Sequence, residues 1–183
     1  YLGDGTRLSA GTLTIQVTDT TGAGARRSAA ASTTVGTAGI LAGAGSSSTA
    51  VVNGSIEAFI GANAIVRVGG ASTVQSLGAA TATADAKGGS GGGVAVSVFF
   101  ATACVSGYTV TAGRATCSTP AAGTVGTRAF VGAGTTLTTG SLQVVSNATD
   151  TATATVLAVA VAIAGGAGGK GAAPNPAHGG IEG

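Results

Sequence analysis

The chain has no tryptophan and no methionine, one histidine, three prolines, and aromatic residues at only 3% of its 183 positions. Charged residues are sparse too, at 8%, against about 25% in an average domain. Each shortage excludes something. Without large side chains a core gains little area per residue, so stability has to come from backbone pairing repeated many times. Six acids spread over the whole chain offer no paired carboxylates for cutting a polysaccharide. The sequence pI near 8.8 rests on eight Lys and Arg against six Asp and Glu, and only Arg26 and Arg27 are adjacent. Nucleic-acid binding needs a clustered basic stripe with interleaved aromatics, so no nucleic-acid partner is expected. The longest apolar run, Val156 to Ala164, falls far short of the roughly 20 residues of a membrane helix. It alternates large with small apolar residues rather than apolar with polar, unlike a membrane β-strand, and no membrane span is expected. Low charge and positive mean hydropathy also argue against disorder.

What is present is glycine, 34 residues of it, with alanine, valine and threonine, arranged in repeats. Tyr1-Leu2-Gly3-Asp4-Gly5 recurs as Phe59-Ile60-Gly61-Ala62-Asn63 and as Phe130-Val131-Gly132-Ala133-Gly134. Each copy leads into a Gly-bounded strand pattern such as Leu13-Thr14-Ile15-Gln16-Val17, then into a Thr/Ala/Asp block. Ile56-Glu57-Ala58 precedes Phe59, Thr127-Arg128-Ala129 precedes Phe130, and the chain closes on Ile181-Glu182-Gly183. The sequence thus divides into three tandem repeats, 1–58, 59–129 and 130–183, complete in phase. With Tyr1 first and no signal-peptide pattern, it reads as an internal piece of a longer polypeptide.

Period-two alternation runs through 13–18, 94–98 and 150–164. In the last stretch the odd positions read Thr151, Thr153, Thr155, Leu157, Val159, Val161 and Ile163 against even positions that are mostly Ala. β-branched residues at every second position favour a strand, here with both faces buried or closely approached. Glycine clusters at 36–45, 88–93 and 165–171 suit tight corners. The expected fold is all-β, a parallel β-solenoid (β-helix) of about three rungs per repeat, continuing or stacking into a rod or fibre. A flattened sandwich or an antiparallel stack is the competing arrangement. On the Tyr1 to Thr6 and Ile56 to Gly61 motifs, the Leu-Thr-Ile strand and the Thr/Ala block, the chain resembles the β-strand repeats of very large bacterial surface proteins, filamentous-haemagglutinin-like adhesins among them. The resemblance implies secretion or cell-surface display as an extended fibre, a role in adhesion or matrix, and no catalytic residues.

The middle repeat departs from its neighbours by an insertion at about 104–123 that carries the only cysteines, Cys104 and Cys117. A disulfide between them, implying an oxidising compartment, competes with two separate buried thiols. Tyr108 and Arg114, on the enclosed stretch, are the candidate contact residues. One cysteine pair without a nearby histidine does not fill a zinc shell. The acids Asp4, Asp19, Asp85 and Asp150 read as solvated turn residues or as a sparse calcium ladder, and no other cofactor is expected. Gly88-Gly89-Ser90-Gly91-Gly92 matches a nucleophile-elbow pattern, and Gly166 to Gly171 matches dinucleotide and P-loop patterns. Neither is followed by a helix-forming stretch, and the only histidine is His178, near the end. Thr81-Ala82-Thr83 and Thr151 to Thr155 read as half-exposed strand positions or as a flat threonine array of the ice-binding kind.

No enzyme is expected. The leading expectation is a structural segment of an extracellular fibre or adhesin whose partner is itself, head to tail. The alternative is a binding module for a receptor, a glycan or ice, displayed on a solenoid stalk.

Overall fold

The computed structural model describes residues 1–19, 27–105, 107–112, 114–119, 126–173 and 179–182. Twelve strands account for nearly all of them: β1 (Arg7–Ala10), β2 (Leu13–Thr18), β3 (Arg27–Val52), β4 (Ser55–Ile60), β5 (Ile65–Val68), β6 (Ala71–Val105), β7 (Gly107–Thr111), β8 (Arg114–Ser118), β9 (Gly126–Val131), β10 (Thr136–Thr138), β11 (Ser141–Ala172) and β12 (Gly179–Glu182). Three sheets are parallel, in the orders β1-β5-β10, β4-β9-β12 and β11-β6-β2, with β3 pairing β6 on the same edge as β2. A fourth, β7-β8, is an antiparallel hairpin. The chain therefore lies in three tiers: β1 to β4; then β5, β6 and β9 with the hairpin; then β10 to β12. The second tier is central in every parallel sheet.

Register between tiers follows the sequence repeats. Arg7, Ile65 and Thr136 are partners, as are Ile15, Val74 and Val144. Tyr1, Phe59 and Phe130 stack face to face, with ring centroids 4.9 and 5.0 Å apart and planes within 6°. That spacing matches the roughly 4.8 Å between hydrogen-bonded strands, so the backbone sets the ring distance. Each such pair contributes about 0.5–1.5 kcal/mol beyond its buried area.

The turn after each aromatic repeats one backbone shape. Gly5, Asn63 and Gly134 all have positive φ, at 65°, 55° and 72°. Asn is among the few side-chain-bearing residues that tolerate this region. The turns bond to one another through Gly5 N–H to Ala62 O at 2.8 Å and Asn63 N–H to Ala133 O at 2.9 Å. Just before them, Gly61 and Gly132 have no room for a side chain. A Cβ on Gly61 would lie 2.5 Å from the Asp4 nitrogen, and one on Gly132 would lie 2.6 Å from the Ala62 nitrogen. In both cases the obstacle is the backbone of the preceding tier.

The short strands enclose one core, where Ile60, Ala64, Val66, Val74 and Ala129 are wholly buried among Leu2, Leu8, Leu13, Leu137 and Val144. The long strands form a second. Each runs outward, bends and returns. The ladder skips Ile40, Gly93 and Ile163, which mark the three bends. Legs of one strand then face each other: Thr33 and Ser46 share a 3.0 Å hydroxyl contact, the Thr37 hydroxyl donates to Gly43 O at 3.0 Å, and Ser90 meets Ser97 at 2.9 Å. Between the legs lies an alanine layer that includes Ala80, Ala82, Ala84, Ala86, Ala101 and Ala103, with Phe99 as its one large residue at 0% exposure. Gly88 stands beside that ring: an added Cβ there would first meet the Val35 carbonyl of the neighbouring tier and would also come within 2.9 Å of the Phe99 ring.

Three expectations change. One repeat forms one tier, not about three rungs, because the long strands spend their residues on the outward and return legs. Glycine clusters are not themselves corners; they sit inside β3, β6 and β11, and the bends fall at single positions within or beside them. The stretch 150–164 is not closely approached on both faces. Its alanines point inward while Leu157, Val161 and Ile163 face outward, Ile163 at 97% exposure. Legs this close admit mostly small side chains between them, with Phe99 the large exception.

Two substitutions test this packing by thermal or denaturant unfolding. Phe99→Ala should cost about 3–5 kcal/mol, because rigid legs cannot collapse onto the void. Gly132→Ala should cost about 1–3 kcal/mol by forcing two tiers apart.

Candidate binding cleft at the disulfide hairpin

The extra length of the middle tier leaves the stack at one corner. Val52 pairs with Val105, and Ser55 pairs with Gly126. The first tier crosses this gap with Asn53-Gly54, whereas the second inserts 106–125. Within the insertion β7 and β8 pair antiparallel, with Tyr108 opposite Cys117 and Thr111 opposite Arg114. Ala112, at the hairpin end, has φ 51°. Ser106, Gly113 and 120–125 lie outside the described residues.

A disulfide joins Cys104, wholly buried at the end of β6, to Cys117 on β8, with Cα atoms 5.4 Å apart. It settles the two cysteine readings in favour of the bridge. The Thr102 hydroxyl donates to Ala115 O at 3.2 Å, a second tie. Together they hold the hairpin against the return leg of β6, whose outward residues are Val94, Val96, Val98 and Phe100. The Arg114 guanidinium lies 4.0 Å above the Phe100 ring. Such a contact holds the cation against the negative face of the ring.

Across the tiers, Ser47, Phe100 and Lys170 are register partners. With Arg114 over the middle member of that row, a cleft of about 140 Å³ opens, lined by Ser47, Phe100, Arg114, Thr116, Lys170 and Ala172 among others. Two cations and no acid line it. Ion pairs lie elsewhere, among them Arg27 with Asp19 and Arg128 with Glu57, each at 3.1 Å. Arg114, singled out from sequence, belongs to the cleft. Tyr108 is 45% exposed on the hairpin but does not line it. Ser47, Phe100 and Lys170 were missed, and no local signal marks them, because only the register of three distant segments brings them together.

Other sequence candidates separate. Asp4 accepts a hydrogen bond from Ala62 N–H at 2.8 Å, Asp19 pairs with Arg27, and Asp85 and Asp150 lie on β6 and β11. Among the described residues no group of three His, Cys, Asp or Glu converges. Ser90 is buried between the legs against Ser97 rather than raised on a turn, and His178 lies outside the described residues. Gly166 to Gly171 is strand, part of β11. Thr151 pairs Thr81 and Thr153 pairs Thr83, which makes short threonine rows; in the first tier Ser28 and Ala30 continue them.

Comparison of the chain with protein-family models, with curated proteins and with solved structures found no match.

Replacing both cysteines by serine should lower stability by about 3 kcal/mol, the chain-entropy value for a loop of this size. The hairpin should then be cleaved by protease faster than the tiers, as read by limited proteolysis with and without reductant.

Proposed function

We propose that the chain is a structural, non-catalytic β-solenoid segment of an extracellular fibre or cell-surface adhesin, in which tiers continue or stack end to end. One observation carries this reading: glycines of the first tier lack the reason their counterparts have. Gly61 and Gly132 are glycine because the preceding tier's backbone occupies the Cβ position, and Gly70 and Gly140 lie under carbonyls of the preceding tier at 3.0 and 3.1 Å. Their counterparts Gly3 and Gly11 face open space, with only the Thr6 hydroxyl 3.8 Å from a Cβ on Gly3 and nothing within 4 Å of one on Gly11. A further tier seated on this edge supplies the missing reason. Tyr1, 82% exposed at the open end of the aromatic column, offers its free face to the same neighbour. Unpaired edges at both ends of such a stack are otherwise a standing liability. The disulfide agrees with an oxidising, extracellular setting.

Gly3→Val combined with Gly11→Val separates assembly from folding. Melting of the dilute chain should hardly change, while rods seen by electron microscopy at high concentration should shorten or vanish. Compact monomers from the unsubstituted chain, with no rod at any concentration, would overturn the proposal.

The hairpin cleft favours a second reading beside the first, in which the same rod displays a binding module for a receptor or glycan. It is the one place among the described residues where the middle tier builds something its neighbours lack.

A further inference from the structure

The geometry points to the cleft as a binding site for a carboxylate-bearing sugar, a uronic-acid unit of an acidic polysaccharide. The assignment rests on the display reading above and is independent of whether the tiers form rods.

Charge is the first argument. Arg114 and Lys170 converge on one cleft with no acid in its lining, and Lys170 has no ion-pair partner among the described residues. In a chain with so few charges, two uncompensated cations at one spot select an anion. Arg114 sits over Phe100, its Cζ 4.0 Å from the ring centroid, and a guanidinium presents the N–H fork that matches a carboxylate with two parallel hydrogen bonds.

Size and lining narrow the class. A volume of about 140 Å³ is close to the roughly 150 Å³ that encloses benzene, so the cleft seats the carboxylate and one ring edge of a single sugar unit. Beside the cations stand the hydroxyls of Ser47 and Thr116, suited to sugar hydroxyls, and the methyls of Ala115 and Ala172, suited to the C–H face of a ring. Val94, Val96 and Val98 extend an exposed apolar ridge along the same face, away from the cleft. It is flanked in the neighbouring tiers by Gly43, Gly45, Gly166 and Gly168, so the surface beside it is low and open to further ring faces.

An acidic peptide fits less well. An extended peptide that adds to a sheet is held by main-chain bonding to a free strand edge. The floor of this cleft is the face of β6, paired on both sides by β3 and β11, and on its β8 wall Ala115 O already accepts from the Thr102 hydroxyl.

Isothermal titration of the oxidised chain with trigalacturonate, neutral galactotriose, triaspartate and inorganic sulfate tests the assignment. Trigalacturonate should bind, more weakly as salt rises, while the neutral sugar should not. Lys170→Ala and Arg114→Ala should each weaken binding at least tenfold. Arg114→Lys should recover only part of the loss, because charge returns without the fork. Arg114 also packs on Phe100, so Lys170→Ala, at an exposed position outside the hairpin, serves as the variant whose folding is not in question. No heat with trigalacturonate, or binding untouched by Lys170→Ala, would overturn the proposal. Equal affinity for sulfate would reduce the cleft to a bare anion site, and equal affinity for triaspartate would replace the sugar with a peptide. Micrographs of the same samples keep the two readings apart: rods that ignore trigalacturonate sink the cleft alone, and monomers that bind it sink the rod alone.

Discussion

The structure depends on parallel hydrogen bonding between equivalent positions of successive tiers. Strands about 4.8 Å apart place equivalent repeat positions over one another, so wherever the repeat is kept a side chain meets its own counterpart. Rings therefore lie flat on rings, Thr151 beside Thr81, and one positive-φ turn over another. Glycine is required wherever a Cβ would be aimed along the stacking direction, as at Gly61 and Gly132. Specificity here comes less from the shape of a core than from the repetition of a backbone path.

That constraint explains an unusual distribution of size. In most sheets the larger residues face inward. In the long strands of this chain alanine faces inward and Leu157, Val161 and Ile163 face outward. The two legs of each strand approach closely enough for hydroxyl contacts such as Thr33–Ser46. A layer of methyl groups fills the gap, and Phe99 enters it beside Gly88. The inner layer is mostly alanine, which suits a chain poor in large side chains. The paired backbone makes up the difference, with β6 bonded along most of its length on both edges.

Some of this was legible in the residues. Alternation at 13–18, 94–98 and 150–164 identified strands, and the low charge pointed to an ordered all-β chain. The folding back of the strands was hidden. Period two reports that successive side chains take opposite faces; it does not say how far a strand runs before it bends, or which face is inside. Ala/Gly/Ser/Thr stretches satisfy several short rungs as readily as one long strand bent at Ile40, Gly93 or Ile163. The cleft was hidden for a related reason. Arg114 drew attention through its place in the cysteine loop, but Ser47, Phe100 and Lys170 become neighbours only once the register of three tiers is known. Lys170 in particular sat inside a glycine-rich string that imitates a phosphate loop and is strand.

The hairpin's position carries an implication for how such a chain can change over generations. Within a tier, losing or gaining one residue shifts every later side chain to the opposite face and out of line with two neighbours at once. At the corner between Val105 and Gly126, β7 and β8 pair only with each other, so the same event there leaves the register of the tiers unchanged. Length variation is thus filtered by location rather than by chemistry. A segment inserted at such a corner is free to differ without displacing the tiers, and the disulfide to Cys104 gives this one a fixed seat at the end of β6.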